Sequence, residues 1–189
     1  MDRAPRRRLM LDPGAGDPEL GRWLAALDDA RRDTLIELEG VTPDMVDWYP
    51  DVPLNSIGTL LYHIALIEAD WVASEVLELP EEQAELAELL PWPHREDTAQ
   101  GQGQRLTRID GQPLRAHVER LAAVRVWAVE RLRPLSHAEL HRVRTLPDYD
   151  VAPDWVMHHL LQHEAEHRSH LALLRDMHIQ SFGTAGGPG

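Results

Sequence analysis

The chain has 189 residues with a formal net charge of −13, and all 19 of its basic residues are Arg. An acidic balance of this size argues against non-specific binding to nucleic acid or to anionic membranes. The chain contains no Cys, which excludes disulfides, thiolate metal ligands and a cysteine nucleophile, and its lack of Lys excludes Schiff-base chemistry.

No apolar run approaches the ~18 residues of a membrane span, and the basic N-terminus lacks the apolar stretch of a signal peptide. We therefore expect a cytoplasmic protein with no membrane partner. Residues 1–16, rich in Arg, Pro and Gly, predict a flexible arm, and residues 181–189 predict a flexible tail. The intervening residues, 17–180, predict a single domain.

Four long segments of this domain have the apolar periodicity of helices. They cover about 17–40, 56–78, 113–133 and 153–178. Asp17-Pro18 and Pro153 are typical of the first turn of a helix, and Gly40 is typical of a helix end.

Shorter elements occupy the connections between the long helices. Residues 81–90 predict a short acidic helix, Gln100–Gln104 lies in a long crossover loop, and Ser136 with Glu139 has the spacing of a capping box. No window alternates cleanly enough for a strand. The sequence therefore predicts an all-α four-helix bundle with a long crossover connection and short accessory helices.

The fourth predicted helix carries a dense run of histidines, HHLLQHEAEHRSHL. His159, His163 and His167 recur every four residues, and His170 falls on the same side of a helix. One face thus combines four imidazoles with apolar Leu residues. This combination is typical of a metal site between packed helices.

Two interpretations of this face compete. The segment His163–His167 matches H-E-x-x-H, in which two His bind zinc and the Glu is the general base of a metalloprotease. Such enzymes take a third ligand downstream, but no Glu follows Arg168, and His170 stands where the extended motif has Gly. They also align their substrate on an edge strand, which this sequence does not predict.

The alternative takes the third ligand from upstream. His63 lies inside the apolar run of the second predicted helix, whose side chains we expect to face the bundle core. If this helix packs against the fourth, at the usual axial separation of ~8–10 Å, His63 can reach the metal held by His163 and His167.

With these residues in place, the chain resembles the DinB-like (YfiT-like) metalloproteins, a superfamily of four-helix bundles. Three segments carry the resemblance: 55–63, 68–71 and 159–168, which read NSIGTLLYH, EADW and HLLQHEAEHR. The order and spacing of the elements fit over about 17–178. Ser169 stands where many relatives carry Gly, a departure that touches no ligand.

The resemblance implies a divalent metal ion, often zinc or nickel, and frequently a homodimer. The metal ligands of the family correspond to His63, His163 and His167. Several branches are transferases or isomerases that use a low-molecular-weight thiol such as bacillithiol, mycothiol or glutathione. Many other members have no known activity.

Three neutral imidazoles leave a metal ion an open coordination position, which favours catalysis because closed structural sites use four ligands. The ion lowers the pKa of the thiol or water bound there. Since the chain has no Cys, the leading hypothesis is an S-transferase in which a cofactor thiol attacks a small-molecule substrate. If water binds instead, the site is that of a hydrolase, with Glu164 or Glu166 as the catalytic proton acceptor. A third hypothesis is a non-catalytic metal- or ligand-binding stress protein, which a fourth ligand such as His159 would favour.

The remaining histidines divide into two groups. His159 and His170 are predicted to support the ligands or to line a cofactor pocket, because metal-bound imidazoles need partners for their second nitrogen. Five others are predicted to lie on the surface: His94, His117, His137, His141 and His178.

Overall fold

The structure is a computed structural model that describes residues 10–14, 16–79, 84–93, 96–97 and 105–183. Its helices in chain order are α1 (Pro18–Glu37), α2 (Pro43–Val46), α3 (Ile57–Trp71), α4 (Ala84–Leu89), α5 (Leu114–Leu132), α6 (His137–Leu140) and α7 (Pro153–Phe182). A π-helical turn over Val72–Val76 continues α3. The predicted all-α bundle of four long helices with short accessory ones is confirmed.

Two short antiparallel ladders differ from the prediction that the chain has no strand. β1 (Glu96–Asp97) pairs with β2 (Arg105–Leu106), and β3 (Arg144–Thr145) pairs with β4 (Asp150–Val151). Strands of two residues are too short to produce an alternating apolar pattern in the sequence.

The predicted bounds of the outer segments can be compared only in part. Residues 1–9 and 15 of the predicted arm, Gln100–Gln104 of the crossover loop and residues 184–189 of the tail lie outside the described residues. At its C-terminal end α7 continues to Phe182, beyond the predicted end near 178.

Local sequence explains where the long helices begin. The Asp17 carboxylate caps α1 by accepting from the backbone N–H groups of Glu19 and Leu20, each at 2.9 Å. The Ser56 hydroxyl caps α3 by accepting from the N–H of Thr59 at 3.2 Å. Caps of this kind typically stabilise a helix by ~1 kcal/mol each.

Packing then places the long helices beside one another. α1 packs along α7, and α3 packs against both α5 and α7. The second and fourth long helices, α3 and α7, are therefore neighbours, although about 80 residues separate them in the chain. None of the described helices combines the length and the apolar character needed to cross a membrane.

A layer of four buried charges crosses the interior between two apolar clusters. One cluster contains Leu27 of α1 and Leu160 of α7, and the other contains Leu38 of α1 and Leu171 of α7. Each long helix contributes one residue to the layer between them: Arg31, Glu68, Arg125 and Glu164. Two guanidinium groups thus balance two carboxylates, which buried charges require.

The charge layer is closely bonded. Arg31 donates to Glu164 Oε1 at 2.6 Å and to Glu68 Oε2 at 2.8 Å, and Arg125 donates to Glu68 Oε1 and, at 3.4 Å, to Glu164 Oε2. Burial alone would raise the pKa of Glu68, but Arg125 and Arg31 outweigh burial, so this pKa lies below its ordinary value. The layer links all four long helices at the level where α7 carries its histidines.

Candidate metal centre

The imidazoles of His63, His163 and His167 converge at the contact between α3 and α7. His63 is 8 % exposed and lies in the middle of α3, among apolar residues that pack in the core. His163 and His167 are half-buried and lie one turn apart on the facing side of α7. The two helices thus bring together residues 100 positions apart in the chain.

The three Nε2 atoms face one another. His163 Nε2 lies 3.1 Å from His63 Nε2 and 3.1 Å from His167 Nε2. A tetrahedral ion with metal–nitrogen distances of about 2.0–2.1 Å separates its ligand atoms by about 3.3 Å. The donor atoms of these three residues all lie within 4.8 Å of one another, so the group could hold a metal ion.

The surroundings of His163 and His167 keep both imidazoles in the neutral form that binds metal. Burial, and next the neighbouring His167, His63 and His159, lower the pKa of His163 to about 2. Burial also lowers the pKa of His167 to about 4, assisted by His170. Both rings are therefore neutral at pH 7, with a lone pair available to a cation.

The two other histidines of the predicted face lie beside this group. His170 Nδ1 is 3.4 Å from His167 Nδ1, on the side of the His167 ring opposite the converging Nε2. If His167 Nε2 binds a metal, the proton of this ring lies on Nδ1. The Nδ1–H group then donates a hydrogen bond to His170, and this bond orients the ligand ring. His159 lies farther away, with its ring centroid 5.9 Å from that of His163.

A cavity of about 420 Å³ is lined by His63, His163 and His167. His159 and His170 both line it, together with apolar side chains that include Leu60, Ile67 and Leu174. No Asp, Glu or Arg is among the described residues that line this cavity. Cavities of roughly 300–1,000 Å³ with mostly apolar walls are typical of small-molecule sites.

An aromatic wall forms one side of the cavity. The Trp71 ring lies 4.1 Å from the His159 ring, and Trp155 stacks on His159 at 5.4 Å with an interplanar angle of 4°. These contacts hold His159 away from the converging nitrogens. Within the described part of the chain, the three-histidine group therefore has no fourth ligand.

The connection between α3 and α5 contributes to the cavity's rim. Leu106 of β2 lines the cavity, and its backbone N–H donates to the Asn55 side chain at 3.1 Å. Asn55 also lines the cavity and lies next to the cap of α3. The crossover connection is thus tied to the start of the helix that carries His63.

Glu164 and Glu166, the predicted proton acceptors, lie elsewhere. Glu164 is 2 % exposed and belongs to the charge layer, where Arg31 and Arg125 donate hydrogen bonds to its carboxylate. Glu166 is exposed on α7. Neither residue is among those that line the cavity, so a catalytic role for either stays a prediction.

Sequence reasoning missed the charge layer, although a signal for it exists. Each of the four charged residues lies four positions after a buried apolar residue on the same helix, as Arg31 follows Leu27 and Glu164 follows Leu160. A charge on the core stripe of every long helix, two of each sign, predicts a shared buried network. Glu164, the Glu of the H-E-x-x-H segment, therefore has ion-pair partners in the core.

The prediction that five further histidines lie on the surface is wrong for His117 and His178, which are both buried. His117 packs between α5 and α3 near Gly58, and His178 packs against the Trp48 ring, so tertiary contacts cover both. His137 is exposed, and the His141 side chain is 38 % exposed. His94 lies outside the described residues.

The fold and the site together define an all-α bundle with a three-histidine group, open to a cavity, between two of its long helices. A family model described as the DinB superfamily matches residues 26–171. Because this match covers most of the chain, the protein belongs to the DinB superfamily, as the sequence motifs predicted. No curated protein matches the chain significantly.

Proposed function

We propose that this protein is a metal-dependent enzyme that transfers a small electrophilic substrate onto a low-molecular-weight thiol, with His63, His163 and His167 as the metal ligands. The observation that carries the proposal is the convergence of three Nε2 atoms, without a fourth protein ligand among the described residues, at the wall of an apolar cavity. Three-ligand sites with an open position are typical of catalytic metals.

The donor set fits a divalent ion such as zinc or nickel, since neutral imidazoles suit both. A bound ion would supply a positive charge that lowers the pKa of a thiol enough to deprotonate it at neutral pH. No carboxylate that could accept a proton is among the described residues that line the cavity. A thiol starts from a lower pKa than water, so with the charge of the ion in place it would release its proton to solvent at neutral pH without a protein base, and this favours a thiol over water.

The protein's own residues would bind and orient the reactants. Leu60, Ile67 and Leu174 provide an apolar surface that excludes water from the reacting groups. The Trp71 ring, against which the His159 ring packs, gives the cavity an aromatic wall that a planar substrate can contact. His170 would hold the His167 ring in its ligating orientation through Nδ1.

A thiol panel tests the proposal. The zinc-loaded and nickel-loaded proteins are incubated with 1-chloro-2,4-dinitrobenzene and with glutathione, bacillithiol or mycothiol in turn, and thioether formation is followed by mass spectrometry. We expect at least one thiol to give catalysed product and to raise the melting temperature of the metal-loaded protein. If none of the three thiols produces either effect while metal is bound, the proposal fails.

Two outcomes would identify the alternatives. Turnover of p-nitrophenyl acetate without added thiol would identify a hydrolase. Metal binding without turnover in either assay would identify a non-catalytic metal-binding protein. Homodimerisation, which the family resemblance implies, stays a prediction that sedimentation of the metal-loaded protein tests.

A further inference from the structure

A second group of potential metal ligands lies where the start of α1 meets α6, away from the cavity. It comprises Glu19 in the first turn of α1, His137 at the start of α6, and His141, which is the C-cap of α6. One donor atom from each of these residues lies within 4.8 Å of the other two. Residue 154 of α7 lies beside this group, and His163 of the same helix lies at the cavity. The helical rise between these two positions is about 14 Å.

Three donor atoms approach one another in this group, and a further carboxylate lies beside His137. Glu19 Oε2 lies 3.1 Å from His141 Nε2 and 3.7 Å from His137 Nδ1, and Asp17 Oδ2 lies 3.4 Å from His137 Nδ1. These spacings lie close to the roughly 3.3 Å between ligand atoms of a tetrahedral zinc ion. Two imidazoles and one carboxylate are also among the ligands that such an ion takes.

Helix capping fixes the carboxylate beside His137 in place. The other oxygen of Asp17, Oδ1, accepts from the backbone N–H groups of Glu19 and Leu20 at 2.9 Å each. The cap therefore holds the carboxylate rigidly and leaves Oδ2 directed at His137. The α1 helix thus presents a D-x-E pair to an H-x3-H pair, and each pair is set by local structure.

A fifth side chain supports the arrangement from outside. Asp154 Oδ2 lies 3.4 Å from His141 Nδ1, while His141 Nε2 faces Glu19. A carboxylate on the second nitrogen of an imidazole is the usual partner of a metal-bound histidine, because it fixes the tautomer with a free Nε2 lone pair.

We propose that Glu19, His137 and His141 form a second divalent-metal site, of zinc type, with Asp17 beside His137 and Asp154 as the supporting carboxylate of His141. Three carboxylates around two imidazoles give the group a local excess of negative charge that a dication neutralises. The ligands come from two elements, so a bound ion would clamp α6 to the start of α1. It is independent of the cavity and of the proposed reaction.

Counting bound zinc tests this proposal. The full-length protein, purified without a His-tag and stripped with a chelator, is titrated with Zn²⁺ by isothermal calorimetry. We expect two sites per chain, of which the His137→Ala/His141→Ala variant loses one and the His63→Ala variant loses the other. Asp154→Asn should weaken the second site by about 10–100-fold.

A matched control and a thermal readout keep the result unambiguous. His158→Ala removes an exposed histidine that belongs to neither group and should leave both sites intact. Zn²⁺ should raise the melting temperature of His63→Ala but not of His63→Ala/His141→Ala, and circular dichroism of each metal-free variant confirms that it folds. The proposal is overturned if the wild-type protein binds a single equivalent that His63→Ala removes, or if the variant without His137 and His141 still binds two.

Discussion

Arg31 of α1 donates from Nε to Glu164 Oε1 of α7 at 2.6 Å, across 133 residues of chain. Both side chains are almost completely buried. Since Glu164 follows His163 directly, it projects about 100° around α7 from that histidine. The ion pair therefore sets the rotation of α7 about its axis, and that rotation turns His163 and His167 toward α3.

Removing one charge from this layer should strongly destabilise the fold. Glu164→Gln keeps the size of the side chain but leaves the guanidinium groups of Arg31 and Arg125 with one buried carboxylate, that of Glu68, besides the exposed Asp28 that Arg125 also contacts. Loss of one partner of a buried ion pair costs roughly 3–5 kcal/mol, because an uncompensated charge stays in the interior. Urea unfolding measures the change.

The neighbouring carboxylate provides the control. Glu166 is exposed, so Glu166→Gln should change the free energy of unfolding by no more than about 0.5 kcal/mol. Equal stabilities of the two variants would contradict the structural role assigned to Glu164.

Metal binding in the cavity should depend on His63. His63→Ala leaves only His163 and His167, two residues of one helix, and the open group loses the ligand that joins α3 to α7. We expect the variant to lose the zinc ion that binds at the cavity, together with the stabilisation that this ion provides. Metal analysis with melting curves measures both, and a variant that keeps the full zinc content and the full thermal shift would show that His63 is not a ligand.

Close packing at Gly58 of α3 should make this glycine hard to replace. A Cβ atom there would lie 3.0 Å from His117 Nε2, 3.2 Å from Val46 Cγ1 and 3.3 Å from the Val46 carbonyl oxygen. Overpacking of this kind costs ~1–3 kcal/mol, whereas the better helix propensity of Ala contributes only about 0.8–1.0 kcal/mol. We therefore expect Gly58→Ala to be destabilising in urea unfolding, and a gain of stability would show that α2 and α5 can move away.

The buried His117 should make the fold sensitive to acid. Burial, and next the charge of Arg120, lower the pKa of His117 to about 4. Arg120 lies 3.3 Å from Nδ1, which accepts its hydrogen bond in the neutral ring. In the unfolded chain the imidazole titrates near 6.5, so between about pH 6.5 and 4 only the unfolded state binds the proton. Stability therefore falls as the pH falls through this window.

His117→Leu removes this contribution. Between pH 7 and 4.5 the variant should lose on the order of 1–3 kcal/mol less stability than the wild-type protein. Urea unfolding at stepped pH values measures the difference. Parallel stability curves for the two proteins across the window would show that His117 does not titrate as its environment predicts.

The sequence by itself determined the helices and one face of the site. Apolar periodicity and caps such as Asp17 and Ser56 are local signals, and the structure begins α1 and α3 where those signals lie. The four-residue spacing of His163 and His167 also needs only the geometry of one helix. The place of His63 opposite them was an inference from its apolar surroundings and from the family resemblance.

Only the tertiary structure decided which charged and polar residues meet. The charge layer, the burial of His117 and the meeting of Glu19 with His137 and His141 depend on how helices rotate and pack. No single helix carries that information, because each contact joins residues of different elements. The helical period determines which side chains share a face. Which other helix packs against that face depends on the free energy of packing the whole bundle.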